Sequence, residues 1–343
     1  MTETFVYKQI IGNKHYRHVV FTREVKNKEI FPIDSLVLIK DSKELEESLK
    51  EHKIDLLHAH FGPSALLALE SKSKLNIPML TFFHGFDVKM YPMTRSKFSE
   101  YRDLFLKGEA FAVPSNALKK ELIALGCPED KITVCYLGID IQRIPFRQRK
   151  LDSHPIRILS IGRLVEKKGH DNLIEALSLV EKKIPHFQLH IIGGGDKYEE
   201  LQQIIHKFRL EQKVFLLGAI PHHKTLEMLQ QAHLFCLASR HTSDGDMEGL
   251  PVSLLEAQAA GIPIISTKHS GIPEGVLDGR SGYLAEENNP KDLADKLMTL
   301  MNHTENWPKF GKVGRQWIEK QFHDDNERQQ LMNIYRKMGG FFG

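Results

Sequence analysis

Ile156-Arg157-Ile158-Leu159-Ser160-Ile161-Gly162-Arg163-Leu164-Val165-Glu166-Lys167-Lys168-Gly169 is the stretch on which the fold turns. Its first six residues form an apolar, β-branched run of strand length that Gly162 closes. Beyond the basic loop, Leu173, Leu177, Val180 and Ile184 fall on one face of a helix expected over 171–184. A strand that feeds a loop and then a helix is the building unit of a parallel α/β sheet. Downstream the unit repeats. Strands are expected at 188–192, 214–217, 234–237, 264–266 and 282–285. Helices are expected at 198–208, 224–232 and 290–301, in a segment that starts at Glu248 and is ended by Gly261, and around 307–322 and 324–338.

Upstream the same alternation is present. Helices are expected at 43–52, 63–75 and from an N-capping Ser115 to Gly126, with strands at 54–60, 79–84, 110–113 and 132–137. Between the two halves, residues 140–155 hold Pro145, Pro155, Arg143, Arg147, Arg149 and Lys150 with no period, as an interdomain linker does. The expectation is α/β: an N-terminal domain over 1–145, a C-terminal domain over 146–322, and a last segment, 323–343, returning toward the first.

A length of 343 residues fits about two domains. A net charge of +3 argues against nucleic acid as a partner. Residues 1–8 lack the apolar core of a signal peptide, and the longest near-apolar stretch, 250–265, is interrupted by Glu256, Gln258 and Gly261-Ile262-Pro263. Cys127, Cys135 and Cys236 share no CxxC spacing, and the latter two sit in apolar runs as buried thiols. A reduced, cytoplasmic chain is expected. From Lys89 to Lys107, Lys89, Arg95, Lys97, Arg102 and Lys107 interleave with Met90, Tyr91, Met93, Phe98, Tyr101, Leu104, Phe105 and Leu106. The preferred reading is a surface helix with a buried face. The alternative is a patch that touches an anionic membrane or a lipid-linked acceptor.

Open parallel sheets bind ligands beyond the carboxyl ends of their strands. That places the loops at His84, 162–168, 193–196, 219–221 and 240–251 on binding rims. Arg163 and Lys168 suit a diphosphate, although alone they are an ordinary solvated loop. Gly193-Gly194-Gly195-Asp196 permits close backbone approach to an anion, or is a tight turn. Asp244-Gly245-Asp246 resembles a metal-binding DxD; loop structure or an acceptor-side role is preferred. His58-Ala59-His60 puts two imidazoles on one strand face, and His84-Gly85-Phe86-Asp87 adds two more ligand types, yet nothing in the second half extends them into a metal site. The most specific segment is Glu248-Gly249-Leu250-Pro251-Val252-Ser253-Leu254-Leu255-Glu256-Ala257. Pro251 suits a first helical turn, and a carboxylate inside an apolar helix face needs a polar partner.

Gly162-Arg163-Leu164 with Lys168-Gly169, Glu248 to Ala257, and Gly261-Ile262-Pro263-Ile264-Ile265 resemble glycosyltransferase family 4, and the likeness spans nearly the whole chain. Asp244 to Gly249, His58-Ala59-His60-Phe61-Gly62 and His84-Gly85-Phe86-Asp87 resemble its exopolysaccharide subgroup, which includes the colanic acid glycosyltransferases. The resemblance implies a GT-B fold, two Rossmann-like domains facing across a cleft. It implies a retaining, metal-independent hexosyltransferase that needs no cofactor and takes a nucleotide-sugar donor. The acceptor would be a saccharide or a polyprenyl-diphosphate-linked one, with peripheral contact at the inner membrane compatible with either. Arg163 and Lys168 would hold the diphosphate, Glu256 the ribose and Glu248 the donor sugar, helped by backbone N–H groups at Gly249 and Leu250. Pro251, Gly194, Ala219 and Ile220 complete the donor set, with base choice set near 219–221. His84 would lie by the reacting centre, and His60 and Asp87 on the acceptor side. Relative to the family, the first strand of the N-terminal sheet and its glycine loop are expected to be missing ahead of Thr2-Glu3-Thr4-Phe5-Val6-Tyr7. Two other functions compete: a nucleotide-sugar binder without catalysis, and a metal hydrolase built on His58 and His60.

Overall fold

The computed structural model describes residues 4–12, 15–25, 29, 31–89 and 95–339, with the backbone alone at 4 and 95–97. It divides into two compact units, Met1–Gly138 with Asp325–Gly343, and Ile139–Asp324.

The first unit opens on α1 (Thr4–Gly12), β1 (Val20–Thr22), β2 (Leu36–Leu38) and α2 (Ser42–Glu51). There follow β3 (Leu57–His60), α3 (Gly62–Leu75), β4 (Met79–Phe82), α4 (Phe86–Lys89), α5 (Arg95–Lys107), β5 (Ala110–Val113), α6 (Asn116–Ala124) and β6 (Ile132–Val134). β3 to β6 form a parallel four-stranded sheet in sequence order, and β1 and β2 form a separate parallel pair. Ser115 caps α6, its side chain accepting from the N–H of Leu118 at 3.2 Å. In α5, Tyr101, Leu104 and Phe105 are buried and Leu106 is 76% exposed, which is the one-sided burial of a surface helix. Met90, Tyr91 and Met93, and the side chains of Arg95 and Lys97, lie outside the described residues, as do Thr2 and Glu3.

The second unit carries β7 (Ile156–Ile161), α7 (His170–Glu181), β8 (Phe187–Ile192), α8 (Tyr198–Lys207), β9 (Val214–Leu216), α9 (His222–Gln231) and β10 (Leu234–Cys236). It continues with α10 (Val252–Ala259), β11 (Ile264–Thr267), α11 (Ile272–Gly275), β12 (Gly282–Ala285), α12 (Pro290–Asn302) and α13 (Trp307–Gln321). Its six strands are all parallel, in the order β12-β11-β10-β7-β8-β9. Both faces of the sheet are covered, so Ile158, Leu189, Leu234 and Ile265 are fully buried beneath Leu173, Leu177 and Leu297.

The linker expected over 140–155 is irregular apart from a 3₁₀ turn at Ile141–Arg143, but it belongs to the second unit. The division therefore falls at 138/139 rather than at 145/146. Backbone bonds tie the segment down: Ile139 N–H donates to Phe322 O at 2.7 Å, and Arg147 N–H to Ala260 O at 3.2 Å. The last helix, α14 (Asp324–Lys337), packs in the first unit from Asp325 onward. There the buried Glu327 accepts from Gln9 Nε2 at 2.6 Å and from Gly138 N–H at 2.7 Å. All three cysteines are buried and free, and burial pushes their thiols up, that of Cys127 to about 12.

Candidate active site

From β7 the chain moves outward through β8 and β9, then returns to the other side of β7 with β10. The sheet's switch point thus lies between β7 and β10, and the crevice outside their carboxyl ends is where such sheets take ligands. The loops leaving β7, β8 and β10 are pressed together there. A Cβ on Gly169 (φ +61°) would stand 1.8 Å from Ala238 O, one on Gly193 (φ +152°) 1.9 Å from Gly162 O, and one on Gly195 2.3 Å from Leu164 O. These glycines are required by close backbone approach. Gly194 faces outward; its nearest neighbour would be Ala219 Cβ at 3.8 Å.

α10 enters this crevice by its N-terminus. Ser253 Oγ donates to Ile161 O, the last carbonyl of β7, at 2.9 Å. The N–H groups of Gly249, Leu250, Val252 and Ser253 meet no protein acceptor among the described residues. They leave an anion- or hydroxyl-binding surface at a helix start.

Around it the charged residues are paired. Lys168 Nζ meets Glu248 Oε2 at 3.0 Å, with side chains 12% and 10% exposed. The other oxygen, Glu248 Oε1, is buried without a hydrogen-bond partner among the described residues. Burial pushes the Glu248 carboxyl up, but Lys168, Lys167 and His269 outweigh it and hold it below the usual range. Arg163 is exposed. Glu256 is buried one turn into α10 and pairs with His222 Nε2, at the start of α9, at 3.0 Å. Ala219, Ile220 and Pro221 lead into that same helix start. Asp246 is bound to Lys167 Nζ at 2.9 Å, and Asp244 accepts from Thr242 Oγ1 and, at 3.3 Å, from Asp246 N–H. The Asp244-Gly245-Asp246 stretch is thus a self-bonded loop.

Sequence reasoning missed the support behind Glu248. Its backbone N–H donates to Nε2 of the fully buried His269 at 3.0 Å. Because that nitrogen accepts, the ring proton sits on Nδ1, which reaches Glu287 Oε1 at 3.0 Å. Glu287 also accepts from the N–H of His241 at 2.8 Å, and the His269 and His241 contacts overcome burial to bring its carboxyl down to about 2. Ser270 Oγ closes the other side of the loop, donating to Glu248 O at 2.6 Å. His269 lies far along the chain in a short loop with no periodic or motif signal. His222 could have been found, because it directly follows the 219–221 rim loop.

In the first unit the imidazoles stack. The rings of His58 and His60 lie 4.3 Å apart, and His60 Nδ1 is 3.1 Å from His84 Nε2. His58 Nδ1 meets Tyr335 OH at 2.7 Å. His84 is wedged between the rings of Phe82, at 4.7 Å, and Phe61 and Phe5, both at 4.6 Å. Burial holds all three imidazoles low, His60 at about 4, so they are neutral near pH 7. Neither His58 nor His60 belongs to a three-ligand cluster of metal-binding geometry among the described residues. Asp87, expected on the acceptor side, is instead fully buried. Its oxygens accept from the N–H groups of His84 at 2.9 Å and of Gly85 and Gly62 at 3.0 Å. It braces the His84 loop and has no face for an acceptor. Burial nonetheless pushes its carboxyl up to about 6.

Residues 142–317 match the family model described as glycosyl transferases group 1, and residues 11–143 match that of glycosyltransferase family 4. The chain is 34% identical over 289 residues (83% of this chain, 71% of the relative) to an Escherichia coli K12 protein named as the colanic acid biosynthesis glycosyltransferase WcaL. It is also 34% identical over 291 residues (84% and 72%) to the amylovoran biosynthesis glycosyltransferase AmsK of Erwinia amylovora. The crystal structure of Anabaena Alr3699/HepE in complex with UDP-glucose superimposes with a TM-score of 0.84 at 17% identity, covering 97% of this chain and 94% of that one, a likeness of fold. The chain is therefore an enzyme of GT-B fold that belongs to the group 1 glycosyl transferases, with an N-terminal half of the family 4 type.

Proposed function

We propose that the enzyme transfers a sugar from a nucleotide-sugar donor to a saccharide or polyprenyl-diphosphate-linked acceptor in surface polysaccharide synthesis, with retention at the anomeric carbon. The observation that carries this reading is the start of α10. There, the N–H groups of Gly249, Leu250, Val252 and Ser253, unbonded among the described residues, stand beside the Lys168–Glu248 pair, with Glu256 one turn further in. The names of the relatives support the polysaccharide context, and the nucleotide sugar held by a protein of the same fold supports the donor class.

The chemistry follows from charge. Breaking a sugar–diphosphate bond develops negative charge on the departing phosphate and positive charge on the sugar. Arg163, Lys168 and the α10 N-terminus supply fixed positive charge to the leaving group, so neither a metal nor a cofactor is invoked. Glu248 accepts hydrogen bonds from donor-sugar hydroxyls, with the N–H groups of Gly249 and Leu250 and the turn at Pro251 shaping that subsite. Glu256 takes the ribose. Gly194, Ala219 and Ile220 offer backbone to the rest of the nucleotide. On the N-terminal unit, His84 is the group assigned to the reacting centre, with His60 behind it. No helix among the described residues is long and apolar enough to cross a membrane. The reading places the enzyme in the cytoplasm, with peripheral contact at the membrane face through the basic, amphipathic α5.

A thermal-shift screen of UDP- and GDP-sugars identifies the donor, and Glu256→Ala then tests the site. Loss of the donor-induced shift and of transfer is expected. Normal transfer by a folded Glu256→Ala protein sinks the assignment.

A further inference from the structure

The second unit holds another concentration of positive charge, at the opposite end of its sheet. Apart from Arg157, the second residue of β7, its residues precede β7 and β10, whereas the donor loops follow those strands, so most of the length of β7, roughly 15 Å, separates the two. A cavity of about 160 Å³ opens here, far above the ~10–15 Å³ that holds one water. Its walls include Arg147, Arg149, Lys150, Arg157, Asp152 and His233. Four permanent cations thus face one carboxylate. Asp152 is already shared, with His233 Nε2 at 3.0 Å, Arg157 at 3.3 Å and Arg147 at 3.4 Å.

Arg149 is the informative member. It is 3% exposed and has no carboxylate partner among the described residues. Its guanidinium donates to Gln230 O at 2.7 Å and Ala260 O at 2.8 Å, carbonyls at the ends of α9 and α10, and its Nε is buried with no acceptor. Helix carbonyls bring only partial negative charge. Asp152 acts on this buried cation only at a distance and against Arg147 and Arg157, so the idle donor is left without a contacting counter-ion among the described residues.

We propose that this cavity is a second anion site, separate from the donor loops, which binds a phosphate-type group from a free phosphate or diphosphate or from a phospholipid headgroup. Guanidinium forks match phosphate oxygens in pairs, and exposed Lys150 adds a point charge.

The test is calorimetry with inorganic pyrophosphate and co-sedimentation with phosphatidic acid vesicles, both at low ionic strength. Three folded proteins are compared: wild type, Arg147→Gln/Lys150→Gln and Arg163→Ala. Arg147, Lys150 and Arg163 are all exposed, and melting curves check the fold. Saturable pyrophosphate binding, weakened at least tenfold by Arg147→Gln/Lys150→Gln and under twofold by Arg163→Ala, supports a site for free anions. The same pattern with vesicles alone supports a headgroup site. Binding of neither probe overturns the proposal, and so does binding that Arg147→Gln/Lys150→Gln leaves unchanged.

Discussion

If Lys168 and Glu248 are two handles on one donor, their contribution to folding and their contribution to transfer must separate in a double-mutant cycle. The pair is nearly buried, at 3.0 Å, and Glu248 Oε1 has no other partner to fall back on. Lys168→Met leaves a buried carboxylate with only Lys167, which is itself bound to Asp246, and His269 to offset it. Glu248→Gln leaves the ammonium group without its counter-charge. Removing one member of such a pair costs about 3–5 kcal/mol, whereas replacing both by neutral groups of similar volume is often near neutral. Each single variant is therefore expected to lose about 3 kcal/mol, which is about 1–3 M in urea midpoint. The double variant should recover to within about 1 kcal/mol of wild type, a coupling of roughly 5 kcal/mol if the singles each lose about 3. Transfer must not recover. Each single loses a group aimed at donor charge or hydroxyls and should fall about a hundredfold or more in kcat/KM, and the double should fall at least as far. The assays are urea unfolding and release of the nucleotide from the donor found by thermal shift. A double variant that regains both stability and transfer refutes the reasoning, because the pair would then serve the fold alone.

Three further outcomes follow from the geometry. His269→Ala strips the acceptor from Glu248 N–H and should lower kcat/KM by about tenfold to a hundredfold, the equivalent of about 1–3 kcal/mol; unchanged turnover would remove His269 from the support of the loop. Asp87→Ala leaves three buried N–H groups without their acceptor and should destabilise the first unit by about 3 kcal/mol, read in urea unfolding, while Asp87→Asn retains part of the loss. Burial brings His170 from 6.5 down to about 4, so between those pH values the unfolded chain binds more protons and stability falls as the pH drops from 6.5 to 4, by about 3 kcal/mol at most. His170→Gln should flatten that part of the stability–pH curve, and a curve of unchanged slope argues against a neutral buried His170.

What could be read from the letters depended on how local each cause was. β7 at Ile156–Ile161 and β12 at Gly282–Ala285 coincide with the expected strands because an apolar run and its flanking turn residues set both ends. Ser115 was legible as a cap because capping is a contact within one turn. α1, β1 and β2 carry no comparable pattern: β1 and β2 have three residues each, and Leu38 of β2 is 60% exposed. At the site, Lys168 and Glu248 were each recognisable from their motifs, but their pairing depends on two distant loops meeting at the switch point. Asp87 was misjudged because a carboxylate at a strand end looks the same in sequence whether it meets a substrate or gathers three backbone N–H groups.

The electrostatics of Glu248 also limit what it can do in the proposed reaction. Its neighbours hold the carboxyl below the usual range, so it is ionised near neutral pH. An ionised carboxylate only accepts hydrogen bonds. It can fix sugar hydroxyls and oppose positive charge developing on the ring, and it has no proton to give a leaving group. His84 is held in the opposite state, a neutral ring whose Nε2 is occupied by His60. One nitrogen donates and the other accepts, so the ring orients a partner without changing its own charge near neutrality. Neither residue is poised as a general acid, and in the proposed reaction the departing phosphate takes the acceptor's proton. A pH–rate profile flat between about 6 and 8 is the expected signature, because neither group titrates in that window. A steep limb there that Glu248→Gln or His84→Asn removes would return one of them to acid–base duty.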